Sequence, residues 1–91
     1  MLHIVAYDIC SPRRLRHVAK ACKDYGFRVE KSVFECDLEQ KHFDALWKRL
    51  QAVIDPDEDA LIAYRICSSC ESSIQSAGIL KRPEKPIAYI F

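Results

Sequence analysis

The sequence predicts an α+β fold in which two helices pack against one four-stranded antiparallel sheet. Two segments carry apolar residues at helical spacing, 12–25 and 39–54. Four short segments rich in β-forming residues alternate with them, 2–9, 27–31, 32–38 and 60–67. The resulting order of elements is β-α-β-β-α-β. Two helices on one face of a sheet satisfy that order with short connections.

The first strand is predicted from an apolar run that ends in a carboxylate, Leu2-His3-Ile4-Val5-Ala6-Tyr7-Asp8-Ile9. The run has no helical period and stops at Cys-Ser-Pro, which is typical of a strand buried on both faces. Because side chains alternate along a strand, Asp8 is expected to point the same way as Ile4 and Ala6. Its carboxylate must be solvated, paired or bound to a cation, since burying it bare is costly.

The first helix is predicted to begin at Ser11, a good N-cap, followed by Pro12 at the first helical position. Its apolar stripe recurs at helical spacing and consists of Leu15, Val18, Ala19, Cys22 and Tyr25. We expect Gly26 to end the helix in the left-handed conformation. The polar side leaves six basic residues largely outside: Arg13, Arg14, Arg16, His17, Lys20 and Lys23.

The middle of the chain predicts a hairpin, a second helix and a fourth strand. From Phe27 to Leu38 β-formers dominate, but the apolar side switches near Lys31-Ser32, which indicates a tight turn between two short strands. The strongest helical stripe follows and consists of Phe43, Leu46, Trp47, Leu50, Val53 and Ile54. Asp55-Pro56 ends that helix. Ala60 to Cys67 then favours another buried strand.

These elements predict a ferredoxin-like sandwich over residues 1–78. Within it, Ser68 to Gly78 is polar and is expected to form a loop or a short edge strand. Residues 79–91 are expected to be an extension that ends in an additional strand, Ile87-Ala88-Tyr89-Ile90-Phe91. Because five apolar residues at a terminus need a partner, we expect this strand to pack on the partner subunit of a homodimer.

Composition limits the class of protein. The 91 residues are 49% apolar and 30% charged, as in an ordinary globular domain. No apolar run approaches the roughly 20 residues that span a bilayer, and no signal-peptide layout opens the chain, so a cytoplasmic location is predicted. The net charge of +1 conceals an asymmetry: residues 11–31 hold seven Lys/Arg, and residues 35–59 hold eight Asp/Glu. These segments are either a phosphate-binding face and an acidic face, or two solvated helix surfaces.

The five cysteines are predicted to be thiols, because their number is odd and most lie in apolar or helical settings. Cys10, Cys22 and Cys36 are expected to be buried. Cys67-Ser68-Ser69-Cys70 has the spacing of half a zinc site, but no second ligand pair has a matching spacing. A thioredoxin-like redox role requires the motif to open a helix after a strand, and Glu71-Ser72-Ser73 is a weak helix start.

Asp8 is the first candidate for chemistry. Mg²⁺ takes oxygen ligands and usually keeps several waters around one or two carboxylates. One Asp8 makes a poor site, whereas two brought together across a dimer axis could hold a metal-bound water near a phosphodiester. The alternative is that Asp8 caps the nearby helix or pairs with Arg13 or Arg16.

These residues resemble the CRISPR-associated Cas2 family over residues 1–70. The resemblance is carried by Tyr7-Asp8-Ile9, by the Arg-rich helix start, by Arg28-Val29-Glu30-Lys31-Ser32-Val33-Phe34-Glu35-Cys36, and by Asp55-Pro56 with the acidic residues after it. It implies a ferredoxin-like homodimer in which the C-terminal strand reaches the partner's sheet. One departure is Leu15, where many relatives carry a basic residue.

The resemblance implies two functions. In the first, Asp8 is the Mg²⁺ ligand of an endonuclease that cuts single-stranded RNA or double-stranded DNA, and Tyr7 joins it in catalysis. Nucleic-acid binding is then assigned to Arg13, Arg14, Arg16 and Phe34. In the second, the dimer is a scaffold that joins the Cas1 integrase and holds spacer DNA during CRISPR adaptation, without cleavage. The alternatives are a toxin-like ribonuclease and a non-catalytic nucleic-acid-binding module.

Overall fold

The structure, a computed structural model, describes residues 1–79. These residues form β1 (Leu2–Asp8), α1 (Pro12–Tyr25), β2 (Phe27–Glu30), β3 (Val33–Asp37), α2 (Gln40–Val53), β4 (Ala60–Ile66) and α3 (Ser68–Glu71). The predicted order β-α-β-β-α-β is confirmed, with one short helix added. No helix in this part of the chain is both long and apolar enough to cross a membrane. The strand expected at 87–91 lies outside the described residues.

The four strands form one antiparallel sheet in the order β2-β3-β1-β4, which confirms the ferredoxin-like arrangement. β1 lies inside the sheet and pairs with both β3 and β4. Its pairing with β3 ends at Ala6↔Val33, whereas its pairing with β4 continues to Asp8↔Ala60. The last residue of β1 therefore projects past β3 and is held by β4 alone.

One face of the sheet packs against α1 and α2 and holds the core. The largest fully buried side chains are Val5, Val18, Cys22, Phe34, Cys36, Leu46 and Leu50. Both predicted helical stripes contribute, α1 through Val18 and Cys22, and α2 through Leu46 and Leu50. Burial of this apolar surface is the main favourable contribution to folding.

The opposite face of the sheet, which we call the open face, is not covered by α1 or α2. The register places Ile4 opposite Tyr64 and Ala6 opposite Ile62, so these four side chains share the open face. Ile62 is 47% exposed and Tyr64 is 54% exposed. The prediction that β1 and β4 are buried on both faces is therefore wrong for the single chain, because both long helices pack on the same side.

Helix α1 begins as predicted and ends differently. The Ser11 hydroxyl accepts a hydrogen bond from the Arg14 backbone N–H at 3.4 Å, which makes Ser11 the N-cap. Gly26 ends the helix with φ −167° and ψ −158°, so the expected left-handed conformation is wrong. A Cβ at this position would lie 2.3 Å from the Glu35 carbonyl oxygen and 2.6 Å from the Cys36 Sγ. Glycine is needed here because the helix end approaches β3 closely.

We expect Gly26→Ala to lower the free energy of unfolding by about 2 kcal/mol or more, because the added methyl group must displace the β3 backbone. Urea denaturation measures this change. Gly78→Ala is the comparison: Gly78 has a φ of 77°, but a Cβ there meets no atom within 4 Å. We expect Gly78→Ala to lower the free energy of unfolding by less than about 1 kcal/mol. Equal losses in the two variants would contradict the packing argument.

Two further predictions are corrected. Ser68–Glu71 forms one helical turn, α3, where a loop or an edge strand was expected, and the Glu71 N–H donates to the Cys67 carbonyl oxygen at 2.8 Å. Cys10 is exposed rather than buried, because it lies in the loop after β1, where its thiol donates to the Glu58 carbonyl oxygen at 2.9 Å. The predicted burial of the other two core cysteines, Cys22 and Cys36, is confirmed.

Candidate functional site

Asp8 ends β1 and is exposed on the open face of the sheet. Its pairing with Ala60 confirms the orientation predicted from strand alternation. Within residues 1–79 its carboxylate makes no hydrogen bond or ion pair. It neither caps α1 nor pairs with Arg13 or Arg16, so the carboxylate is available to a cation.

The residues around Asp8 fit only part of a Mg²⁺ site. No group of three or more His, Cys, Asp or Glu side chains that could hold an ion occurs in the described part of the chain. Proteins usually bind Mg²⁺ through one or two carboxylates, with water and substrate phosphates completing the octahedron. An exposed, unpaired carboxylate at a rigid strand end fits that mode. The described chain supplies one such ligand, Asp8.

An ion pair with a buried acidic partner lies in the loops next to Asp8. The Arg14 guanidinium donates to the Asp59 carboxylate from Nε at 2.8 Å and from Nη2 at 3.2 Å, and Nη2 also donates to Glu58 at 2.8 Å. The Asp59 side chain has no exposed surface, and the side chain of Arg14 is 23% exposed. Arg14 is thus engaged within its own chain, and its assignment to nucleic-acid binding stays a prediction.

Asp59 also receives two backbone hydrogen bonds. The Cys10 N–H donates to its carboxylate at 2.9 Å, and the Asp55 N–H donates at 2.8 Å. The hydrogen bonds from Arg14 hold the pKa of Asp59 far below its usual range, and these two backbone donors add to the effect. Together the bonds tie the segment after β1 to the segment before β4, and so fix the two strand ends at which Asp8 pairs with Ala60.

A groove of about 540 Å³ lies beside α1, and we call it the α1 groove. Five of its lining residues are basic: Arg16, Lys20, Lys23, Arg28 and Lys31. The others are Tyr7, Leu15 and Ala19, so no acidic side chain lines it. Clustered positive charge of this kind attracts phosphate groups.

Tyr7 lies on the helix side of the sheet, on the opposite side of β1 from Asp8. It is 6% exposed, and its hydroxyl donates to the Lys31 carbonyl oxygen at 3.3 Å. Burial raises the pKa of the Tyr7 phenol, so it stays protonated at neutral pH. Within one chain, Tyr7 therefore belongs to the α1 groove and not to the Asp8 carboxylate.

Phe34 is fully buried in the core, with the Arg28 guanidinium 5.2 Å above its ring. Its ring has no surface with which to contact nucleic acid, because strand alternation turns it toward the helices. Its assignment as a contact residue therefore stays a prediction that the single chain does not support. The Phe34 ring holds the Arg28 guanidinium in place through a cation–π contact. Phe34 therefore affects the α1 groove only through the position of Arg28.

Of the two remaining arginines, Arg16 lines the α1 groove and Arg13 is exposed outside it. Neither forms an ion pair with another residue of the described chain. Arg28 and Lys31 were not predicted to lie on the binding surface. The pairing Arg28↔Phe34 places Arg28 on the helix side, so strand parity was the available signal once the turn position was known.

Comparison with known proteins identifies close relatives. A model of the family described as "CRISPR associated protein Cas2" matches residues 1–74. The CRISPR-associated endoribonuclease Cas2 1 of Moorella thermoacetica is 39% identical over 84 residues, covering 87% of this chain and 88% of the relative. The CRISPR-associated endonuclease Cas2 of Halalkalibacterium halodurans is 36% identical over 83 residues, covering 86% of each chain.

Solved structures share both the fold and the sequence. The crystal structure of Streptococcus pyogenes Cas2 at pH 6.5 matches with a TM-score of 0.77 and 37% identity, covering 86% of this chain and 100% of that one. A hypothetical protein from Thermus thermophilus matches with a TM-score of 0.80 and 34% identity, covering 91% and 96%. The arrangement of strands, the exposed Asp8 and the matches along most of the sequence lead to one conclusion: this chain belongs to the CRISPR-associated Cas2 family.

Proposed function

We propose that this chain acts in CRISPR adaptation as a homodimer that binds nucleic acid, with Asp8 as the Mg²⁺ ligand for cleavage of single-stranded RNA or double-stranded DNA. The relatives' names, endoribonuclease and endonuclease, support a nuclease. One observation carries the proposal: the Asp8 carboxylate is exposed and unpaired at the end of an apolar sheet face that the helices leave open.

The open face supports the homodimer. Exposed apolar surface such as that of Ile62 and Tyr64 is a common sign of a contact with another protein. Two-fold pairing through this face would place one Asp8 from each copy on the same side of the assembly. Residues 79–91 are proposed to pack on the partner at β4, an edge strand of the described sheet whose outer backbone groups could accept another strand.

Each residue has a separate part in the proposed reaction. A bound Mg²⁺ would polarise the phosphate and make water a better nucleophile. Asp8 would hold the ion where a phosphodiester can approach, since its carboxylate is exposed. Arg13 and Arg16 would offset the charge of the nucleic-acid phosphates. The role proposed for Tyr7 becomes one of positioning, because its buried hydroxyl holds the backbone at Lys31 in the hairpin.

A second candidate function is a scaffold that joins the Cas1 integrase and holds spacer DNA without cutting it. The separation of the two surfaces favours this candidate. The α1 groove lies on the helix side of the sheet, and Asp8 lies on the open face. A duplex whose phosphates follow the groove could thus be held without reaching the Asp8 of the same chain. Such binding would be steeply salt-dependent and insensitive to sequence.

Removing the metal separates these functions. The purified full chain is incubated with labelled single-stranded RNA or double-stranded DNA, in Mg²⁺ and in EDTA. We expect cleavage in Mg²⁺ only. If neither substrate is cut with any divalent metal, while the chain binds duplex DNA and supports spacer acquisition with Cas1, the hydrolase proposal is wrong and the scaffold remains. Cleavage of RNA without any complex with Cas1 would favour a toxin-like ribonuclease.

Binding of duplex DNA in the α1 groove can be tested separately. We expect the double variant Arg16→Gln and Lys23→Gln to bind duplex DNA about tenfold more weakly, and to lower the salt slope of log K by about 2, because two phosphate contacts are lost. Fluorescence anisotropy across a salt series measures both quantities. The control is the double variant Lys41→Gln and Lys48→Gln, which removes two positive charges from exposed positions of α2. A loss of the same size in the control would show that net charge, and not the groove, controls binding.

A further inference from the structure

The motif Cys67-Ser68-Ser69-Cys70 has no part in the metal or nucleic-acid sites described above. A redox role requires the motif to follow a strand and to open a helix; the sequence predicted the strand but only a weak helix start at Glu71-Ser72-Ser73. In the structure β4 ends at Ile66, and Cys67 is the N-cap of α3, a single helical turn of four residues that holds the rest of the motif. Residues three apart in a helical turn are neighbours, so the α3 turn places Cys70 next to Cys67.

Both thiols are exposed and interact with each other. The Ser69 hydroxyl lies 3.3 Å from the Cys67 sulfur, and Cys70 is the other neighbour that acts on this thiol. These contacts, led by Ser69, lower the pKa of Cys67 to about 7, and the hydrogen bond to Cys67 raises the pKa of Cys70. Cys67 is thus an exposed thiol that ionises more readily than the neighbouring Cys70.

The other three cysteines lack this combination. Burial raises the pKa of Cys22 to about 12 and that of Cys36 to about 11, so both are protonated and inaccessible. Cys10 is exposed, but its thiol donates a hydrogen bond to the Glu58 carbonyl oxygen. The Cys10 sulfur is therefore engaged with the backbone of the loop before β4, and no second cysteine lies next to it in the sequence.

We propose that Cys67 and Cys70 form a thiol–disulfide exchange site whose substrates are low-molecular-weight disulfides, RSSR. The Cys67 thiolate attacks one sulfur of RSSR, forms the mixed disulfide Cys67–S–S–R and releases RS⁻. Cys70 then gives its proton to solvent and attacks the Cys67 sulfur, which releases the second RS⁻. Both leaving thiolates take up protons from water. Two electrons pass from the dithiol to RSSR, leaving a Cys67–Cys70 disulfide and two RSH.

This exchange needs neither a metal nor nucleic acid, so it does not depend on the function proposed above. Its product would covalently close the α3 turn, directly after β4. That turn connects the sheet to residues 79–91, the extension proposed to reach the partner subunit. Exchange is therefore expected to be detectable on the full chain by mass alone, without any assay of nucleic-acid binding or cleavage.

Glutathione disulfide is the probe. The reduced full chain is treated with it at neutral pH and followed by intact mass and peptide mapping. We expect the wild type to lose two hydrogen atoms, with Cys67 linked to Cys70. Cys70→Ser should stop at a stable glutathione adduct on Cys67. Cys67→Ser should react about fivefold more slowly, since the larger thiolate fraction at Cys67 is partly offset by its lower nucleophilicity.

Cys10→Ser is the matched control, and it should form the Cys67–Cys70 disulfide like the wild type. Thermal melting of each variant verifies that it is folded before its reaction is interpreted. The proposal is overturned if Cys10 is modified first, or if Cys70→Ser traps no adduct on Cys67. It is also overturned if the purified chain holds stoichiometric zinc that must be removed before the two thiols react.

Discussion

Asp8→Asn is expected to reduce metal-dependent cleavage by about a hundredfold or more, with no loss of folding. Substitution of a residue that only orients a metal ligand typically lowers metal affinity or activity by 10- to 100-fold. Loss of the ligand itself should therefore have a larger effect. Asparagine keeps the size of the side chain and removes the charge that would hold Mg²⁺. Because the Asp8 side chain makes no hydrogen bond or ion pair with the described chain, the free energy of unfolding of the variant should change by less than about 0.5 kcal/mol.

The measurement is cleavage of labelled RNA and DNA at saturating Mg²⁺, with thermal melting of the same samples. Asp57→Asn is the matched control, since Asp57 is also exposed and its carboxylate makes no bond within residues 1–79. Unchanged cleavage in Asp8→Asn would rule out the hydrolase assignment. Conversely, loss of spacer acquisition in Asp8→Ala, with dimer and DNA binding retained, would rule out a function limited to scaffolding.

The main elements of the fold were predictable because each has a local signal. The stripe that includes Leu46 and Leu50 predicts α2, and both side chains are fully buried. The apolar run before Asp8 predicts β1. What a local signal cannot show is which faces are covered: β4 carries apolar residues on both sides, yet Ile62 and Tyr64 are exposed in the single chain. Coverage depends on where both helices pack, and that is a property of the whole fold.

The role of Gly26 shows the same limit. Its position at the end of α1 was predictable, but its reason was not, because the atoms that exclude a Cβ belong to Glu35 and Cys36 on β3. Some features of the candidate site could likewise be predicted from local sequence, and others could not. The orientation of Asp8 follows from strand alternation alone. By contrast, Arg14 and Arg16 look equivalent in sequence, and they differ because the fold brings Asp59, 45 residues away, to only one of them.

Asp59→Ala is expected to cause a large loss of stability, with a fall in melting temperature of about 10 °C or more. The substitution leaves the Arg14 guanidinium without its main partner. It also removes the acceptor of the N–H groups of Cys10 and Asp55. The part-buried donors of Arg14 and Asp55 would then be shielded from water without a hydrogen-bond acceptor, which lowers the stability of the folded state. Asp57→Ala, in the same loop, should shift the melting temperature by no more than about 2 °C.

The same variant should flatten the acid side of the stability profile. Hydrogen bonds from Arg14 lower the folded-state pKa of Asp59, so the unfolded chain takes up a proton first as the pH falls. The contribution of the Asp59 carboxylate to the free energy of unfolding is fully present above the pKa of about 4 that it has in the unfolded chain. This contribution is lost progressively as the pH falls toward the pKa of Asp59 in the folded chain. Urea denaturation at a series of pH values should therefore show a shallower decline for Asp59→Ala than for the wild type.

Asp24 provides an internal reference for that comparison. Its pKa is also lowered, chiefly by Lys20 and then by Arg49, and it remains in both proteins. The difference between the two acid profiles consequently isolates Asp59. Because the bonds of Asp59 join the segments beside Asp8, cleavage should fall with stability in Asp59→Ala. Equally steep acid profiles in the two proteins would mean that the Arg14–Asp59 pair does not hold these strand ends together.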